Sequence, residues 1–277
     1  MLLANYTFKL NCRNILLLTA LILIIISPFD KDWTFWLSRH RIDGFADIFN
    51  RSMFEGKMLG VSDLGVFVYL GSLLLLVFTQ TEILTLRNKK ASLFSSFLCY
   101  YGLFLGIGFV HPLKLIWGRK RPEALLGIDD ASFTQWYQGG ISTFEKINFA
   151  GSFPSGHTAT CLLIIALIYC SYFLKPSTKF RKIILITGYF GFSACVAMGV
   201  SRSMTLKHWI SDWIFSIGFG WFLLHYLFFH IWKMDRLLTE KTNNEHLKRP
   251  KTSLLISMPL VLIAIIFSLR LASNLWA

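Results

Sequence analysis

The chain has 277 residues, of which 54% are hydrophobic and 16% charged, with 26 phenylalanines and a formal net charge of +13. So apolar a composition, with a positive mean hydropathy, excludes an ordinary soluble domain. In such a chain the basic excess points to positive-inside charge and anionic lipid rather than to nucleic acid.

Seven apolar stretches approach the length of roughly 20 residues that crosses a bilayer. They lie near 14–29, 61–80, 92–113, 156–174, 183–201, 209–231 and 252–272. The first lacks a small-residue cleavage site after Ser27 and is expected to be an uncleaved anchor. Residues 30–53 form no span. Trp33, Leu37, Ile42, Phe45, Phe49 and Met53 recur near helical spacing among charges, so one or two interfacial helices are expected, as an anchor or as a gate that admits lipid. The polar segments 30–60, 121–155 and 232–251 are too short to bury a core of their own. Cys12, Cys99, Cys161, Cys170 and Cys195 all fall in or beside spans, which argues against a disulfide framework and for small buried hydrophobes. Basic clusters at Arg87–Lys90, Lys179–Lys182 and Lys248–Lys251 hug span ends on one side, which places the N-terminus inside.

Three polar motifs interrupt this pattern. KLIWGRKRP, Lys114 to Pro122, leaves the third span. GSFPSGHTAT, Gly151 to Thr160, opens the fourth. SRSMTLKHWISD, Ser201 to Asp212, joins the fifth to the sixth. An odd span ends on the face where the next even span begins, so hydropathy alone brings all three to one side.

Lys114, Arg121 and Arg202 are cations at the membrane boundary, where an ionisable group is costly and a functional candidate. Three converging cations need an anion. Ser155 and Gly156 open a helix whose free N–H groups and dipole favour negative charge, Gly156 permits close approach, and Pro154 suits a helix start. These are the parts of a phosphate cradle. His208 and Asp212 are four residues apart and are expected on one helix face, with the carboxylate accepting one ring N–H. The other ring nitrogen of His208 is then a nucleophile, and His157 an acid that protonates the leaving oxygen and later activates water. A metal site is the sharper rival, but the neighbouring Lys and Arg would repel a cation. Arg119, Lys120 and Lys207 are read either as substrate attraction or as plain interfacial cations, with Glu123, Asp129 and Asp130 as possible partners. His40, His111, His225, His230 and His246 are read as structural or interfacial.

The motifs resemble those of the type 2 phosphatidic acid phosphatase superfamily, which includes membrane lipid phosphatases, glucose-6-phosphatase and the vanadium haloperoxidases. There the pattern is Lys, six residues, Arg-Pro; then Pro-Ser-Gly-His; then Ser-Arg, five residues, His, three residues, Asp. Here it reads Lys114 with Arg121–Pro122, Pro154–Ser155–Gly156–His157, and Ser201–Arg202 with His208 and Asp212, over about residues 60 to 232. The resemblance implies an all-α polytopic bundle with a six-helix core, to which 252–272 adds a seventh span, in a single domain spanning 1–277. It implies metal-free, cofactor-free hydrolysis through a phosphohistidine on His208, with His157 as acid/base. It also implies that Lys114, Arg121, Ser155, Gly156 and Arg202 hold the phosphate. WGRKRP and FTQWY further resemble bacterial lipid-phosphate phosphatases, including those acting on lipid A.

The expected activity is hydrolysis of a phosphomonoester or diphosphate on a lipid, such as lipid A, phosphatidate, phosphatidylglycerophosphate or undecaprenyl diphosphate. The expected site faces the periplasm from a bacterial inner membrane. A phosphotransferase acting from a polyprenyl diphosphate shares the first chemical half. A transporter or channel is the reading from another class. The oligomeric state is open.

Overall fold

A computed structural model describes residues 12–50, 70–74, 89–126, 133–138, 151–171 and 179–235. The spans expected at 252–272 and, apart from 70–74, at 61–80 lie outside the described residues. The fold is all-α. Its helices are α1 (Cys12–Ile26), α2 (Asp30–Arg39), α3 (Asp43–Asn50), α4 (Lys89–Leu103), α5 (His111–Trp117), α6 (Gly156–Ser171), α7 (Lys179–Met204) and α8 (Ile210–Tyr226). Among the described residues, four helical runs are long and apolar enough to cross a membrane: Cys12–Arg39, Leu93–Lys114, Arg181–Met204 and Ile210–Ile231. Gly156–Tyr169 is apolar but shorter. The protein is an integral membrane protein.

The run Leu93–Lys114 is continuous because a π-helical turn, Phe104–Val110, links α4 to α5. Pro112 is the second residue after that turn. Proline lacks an N–H and crowds the carbonyl four residues earlier, and a widened turn relieves both problems. The first span differs from expectation. A 3-10 turn at Ser27–Phe29 carries α1 straight into α2, so residues 30–39 extend the first helix rather than start a separate interfacial one. Asp30 and Thr34 are fully buried on this extension. The polar DKDW sequence fails to end the helix because Asp30 finds buried partners on other elements, described below.

Close helix approach rests on small residues. A Cβ on Gly188 or Gly191 of α7 would collide with Ile168 or Ile164 of α6, and one on Gly218 of α8 with Thr19 of α1. Phe97, Tyr101, Phe228 and Trp232 form one aromatic cluster, and Phe109, Phe215 and Phe219 stack in another. Large apolar side chains stay exposed on α1 (Leu17, Ile24) and α7 (Ile186, Phe190), as suits a lipid-facing surface. The end of α5, the start of α6, the end of α7, the start of α8 and the α1–α2 junction meet in one region, and hydrogen bonds there tie them together.

Candidate active site

The first motif leaves α5 through Gly118, whose φ of 55° suits glycine and lets its N–H bond the Lys114 carbonyl at 3.2 Å. The next carbonyls organise the second motif. Arg119 O accepts from Ser152 N at 2.8 Å, while Lys120 O accepts from Ser152 Oγ at 3.2 Å and from Trp209 Nε1 at 2.8 Å. Ser155 precedes α6, and its hydroxyl lies 2.9 Å from that of Thr158. Its N–H reaches the carbonyl of Asp212 at 3.4 Å. Gly156 faces the end of the third span closely: a Cβ there would stand 3.3 Å from Val110 Cγ1 and 4.0 Å from Lys114 Cε.

The third motif turns back on itself. The carbonyl of Arg202 accepts from both Lys207 N, at 2.9 Å, and His208 N, at 3.2 Å. Leu206 completes the reversal with φ 57°, a strained value for a residue with a Cβ. Ser201 Oγ ties the motif to α3 through Ala46 O at 3.1 Å.

The fold thus brings together Lys114, Arg202, His208 and Asp212, all buried, with Arg121 half-buried beside them. Lys114 lies within electrostatic range of Arg121, Arg202 and Asp212. Among the described residues, Arg121 Nε is buried without a hydrogen-bond partner, and its Nη1 is 3.5 Å from Glu123 Oε1. His157 is half-buried in the first turn of α6.

Two expectations about His208 need correction. It does not share a helix face with Asp212, because α8 starts only at Ile210 and His208 precedes it. Asp212 sits in the first turn of α8 and points back, its Oδ2 accepting from Trp209 N at 2.9 Å. The nearest acceptor to His208 Nδ1 is also not the carboxylate. It is the carbonyl of Ser152 at 2.6 Å, with Asp212 Oδ2 at 3.5 Å. A carbonyl only accepts, so Nδ1 carries the proton and Nε2 keeps its lone pair. Burial pushes the His208 pKa down to about 4. Lys114 and Arg202 add to the effect, while the hydrogen bond and charge of Asp212 oppose it. The ring is therefore neutral near pH 7.

Arg119 is neither a surface attractor nor an interfacial cation. It is 2% exposed. Nη1 reaches Asp212 Oδ1 at 2.6 Å and Ser211 Oγ at 2.8 Å, Nη2 reaches Asp30 Oδ2 at 2.8 Å, and Nε reaches Thr134 O at 2.9 Å. Phe133 and Trp209 cover its plane, with ring centroids 5.5 and 5.3 Å away. The FTQWY stretch is therefore packed beside the site, held also by Trp136 Nε1 on Ser27 Oγ at 2.7 Å and by Trp117 Nε1 on Trp136 O. Lys207 pairs with Glu123, and Lys120 is exposed. Sequence reasoning missed Asp30, Ser152 and Ser211. For Asp30 the available signal was an acidic residue directly at the end of an apolar run. Ser152 contributes its backbone carbonyl, for which side-chain identity gives no signal.

Comparison with known proteins gives one result. The family model of the PAP2 superfamily matches residues 96–237, just over half the chain, and takes in all three motifs. No curated protein and no solved structure matches the chain significantly.

Proposed function

This chain belongs to the PAP2 superfamily, and from that premise we propose that it is a metal-independent lipid phosphatase working through a phosphohistidine on His208. Membership carries phosphatase-type chemistry on a lipid or phosphoester. The observation that supports the finer reading is the setting of His208. Its Nδ1–H is held by the Ser152 carbonyl at 2.6 Å, its ring is neutral, and buried cations converge beside it.

In this mechanism Lys114, Arg121 and Arg202 neutralise the phosphoryl oxygens, and Ser155 and the backbone at Gly156 take further ones. His208 Nε2 attacks phosphorus as the P–O bond to the lipid breaks, and His157 gives its proton to the departing oxygen. The imidazolium that develops on His208 is stabilised by Asp212. Water then attacks phosphorus as the P–N bond breaks, His157 takes its proton, and phosphate leaves with His208 neutral again. A lipid headgroup already lies at the depth of the span ends, which favours an amphiphile over a soluble ester. The lipid A branch is the subfamily suggested by WGRKRP and FTQWY, and the periplasmic face of an inner membrane is the orientation suggested by the basic clusters.

Phosphate release in detergent tests this directly, with phosphatidate, phosphatidylglycerophosphate, undecaprenyl diphosphate and lipid A each supplied alone. Release should survive EDTA and be blocked by vanadate. ³²P from a labelled aryl phosphate, trapped in alkali, should be retained by the wild type and absent from His208→Ala. His157→Ala should be slow on lipids but less impaired in phosphorylation by p-nitrophenyl phosphate, whose leaving group needs no proton. Label on His208→Ala, or activity lost to chelator and restored by Mg²⁺ or Zn²⁺, would show the mechanism to be wrong.

A further inference from the structure

Asp30 lies on the first helix, 66 residues before the segment that the family model matches. It is fully buried, and its carboxylate bonds Arg119 and Ser211 at the site. Oδ1 accepts from Ser211 N at 2.9 Å. Oδ2 accepts from Ser211 Oγ at 2.5 Å and from Arg119 Nη2 at 2.8 Å. One turn on, Thr34 Oγ1 accepts from Ile210 N at 3.3 Å. The first helix therefore caps the first turn of α8 from outside, taking two amides that would otherwise be left without acceptors.

The two caps are not equivalent. The Thr34 hydroxyl meets two backbone groups, accepting from Ile210 N at 3.3 Å and donating to the Asp30 carbonyl at 2.6 Å. Asp30 also holds Arg119, whose other arm holds Asp212 Oδ1 at 2.6 Å, and the second oxygen of Asp212 stands 3.5 Å from His208 Nδ1. Charges alternate along this row: Asp30 negative, Arg119 positive, Asp212 negative, then the ring on which positive charge develops. Asp30 offsets the charge of Arg119. Without it, Arg119 would draw on Asp212 alone, and Asp212 would stabilise the His208 imidazolium less.

We propose that Asp30 is a positioning residue of this site, setting the orientation and effective charge of Asp212 through Arg119. The proposal rests on the phosphohistidine reading above. It makes the first helix, which the family model does not cover, a working part of the centre.

The test compares Asp30→Asn, Asp30→Glu and Thr34→Val in full-length protein, with kcat, KM and thermal unfolding measured on whichever lipid the wild type dephosphorylates. Wild type and His208→Ala are measured first. Phosphate release that vanishes in His208→Ala keeps the phosphatase reading, whatever Asp30 does. A wild type that releases none from any lipid overturns that reading and this one together. With the reading kept, Asp30→Asn should lower kcat about 10–100-fold, the range seen for groups that orient metal-ligating histidines, with KM little changed. Thr34→Val should lower the unfolding temperature while leaving kcat close to wild type. Asp30→Glu, which keeps the charge, should recover part of the loss. Adding Asp30→Asn to Arg119→Gln should cost little more than Arg119→Gln alone, because both act through one row. If Asp30→Asn does not fold, Asp30→Glu against Thr34→Val decides. Equal kcat in the two cap variants, or full additivity with Arg119→Gln, would overturn the proposal.

Discussion

Replacing Asp212 by Asn keeps the shape of the side chain and removes its charge. In a serine protease the same change behind the catalytic histidine costs about 10⁴ in turnover, because the ring takes the wrong tautomer. Here the tautomer has a second guardian, the Ser152 carbonyl at 2.6 Å from Nδ1. The expected loss is therefore the electrostatic part alone. Unit charges about 4 Å apart interact by about 4 kcal/mol at the effective dielectric near a protein surface. The separation here is 3.5 Å. At about 1.4 kcal/mol per decade that caps the effect near 10³-fold. Arg119, at 2.6 Å from the other carboxylate oxygen, already draws off part of the charge. Asp212→Asn should thus lower kcat by about 10²–10³-fold, with a modest change in KM. Asp30 still pairs with Arg119, so the variant should fold, and thermal unfolding checks that. A folded variant that loses 10⁴-fold or more would mean that Asp212, not Ser152, selects the tautomer. A loss under tenfold would mean that its charge does not reach the reacting ring.

Two further outcomes are expected. The folded chain keeps His208 neutral down to about 4, whereas the unfolded chain protonates it from about 6.5, so stability from this group is full above 6.5 and is lost as pH falls toward 4. The unfolding temperature of the wild type should fall over that window, a fall that His208→Gln should reduce; the same pH dependence in both proteins would refute the neutral buried ring. For orientation, with the native cysteines replaced, Gln138→Cys should react with an impermeant thiol reagent in whole cells and Lys179→Cys should not; both positions are exposed, and reversed labelling would invert the orientation.

The convergence of Lys114, Arg202 and His208 was legible because motif spacing and span parity both act locally. Lys114, Gly156, Arg202 and His208 need only that adjacent spans end on one face, and the structure brings them to one place. The position of His208 relative to α8 was not legible. An interval of four residues reads as one helix face, but Trp209 is extended, with ψ 158°, so the helix starts after His208 and Asp212 turns back to cap it. Asp30 was hidden for another reason. Its partners Arg119 and Ser211 lie 89 and 181 residues away, and no period or spacing in a single sequence links such positions. The same holds for a backbone acceptor such as Ser152 O, which any residue type could provide.

Arg119 and Arg121 are two residues apart in WGRKRP and look alike in sequence, yet their counter-charges differ in kind. Arg119 is compensated from within, by Asp30 and Asp212, with its plane covered by Phe133 and Trp209. Among the described residues, Arg121 pairs with Glu123 at 3.5 Å, and its Nε has no acceptor. Burying an ion is tolerable only when its hydrogen bonds and charge are met. Arg119 satisfies that condition in the resting protein and so can serve as fixed scaffolding. In the proposed mechanism, an arriving phosphate adds the acceptor that Arg121 Nε lacks among the described residues. In that mechanism the phosphate meets Arg121, while the row from Asp30 to Asp212 stays in place behind His208. Under the proposed mechanism, holding the phosphate is separate from tuning His208, and substitutions in the two sets should act on KM and on kcat respectively.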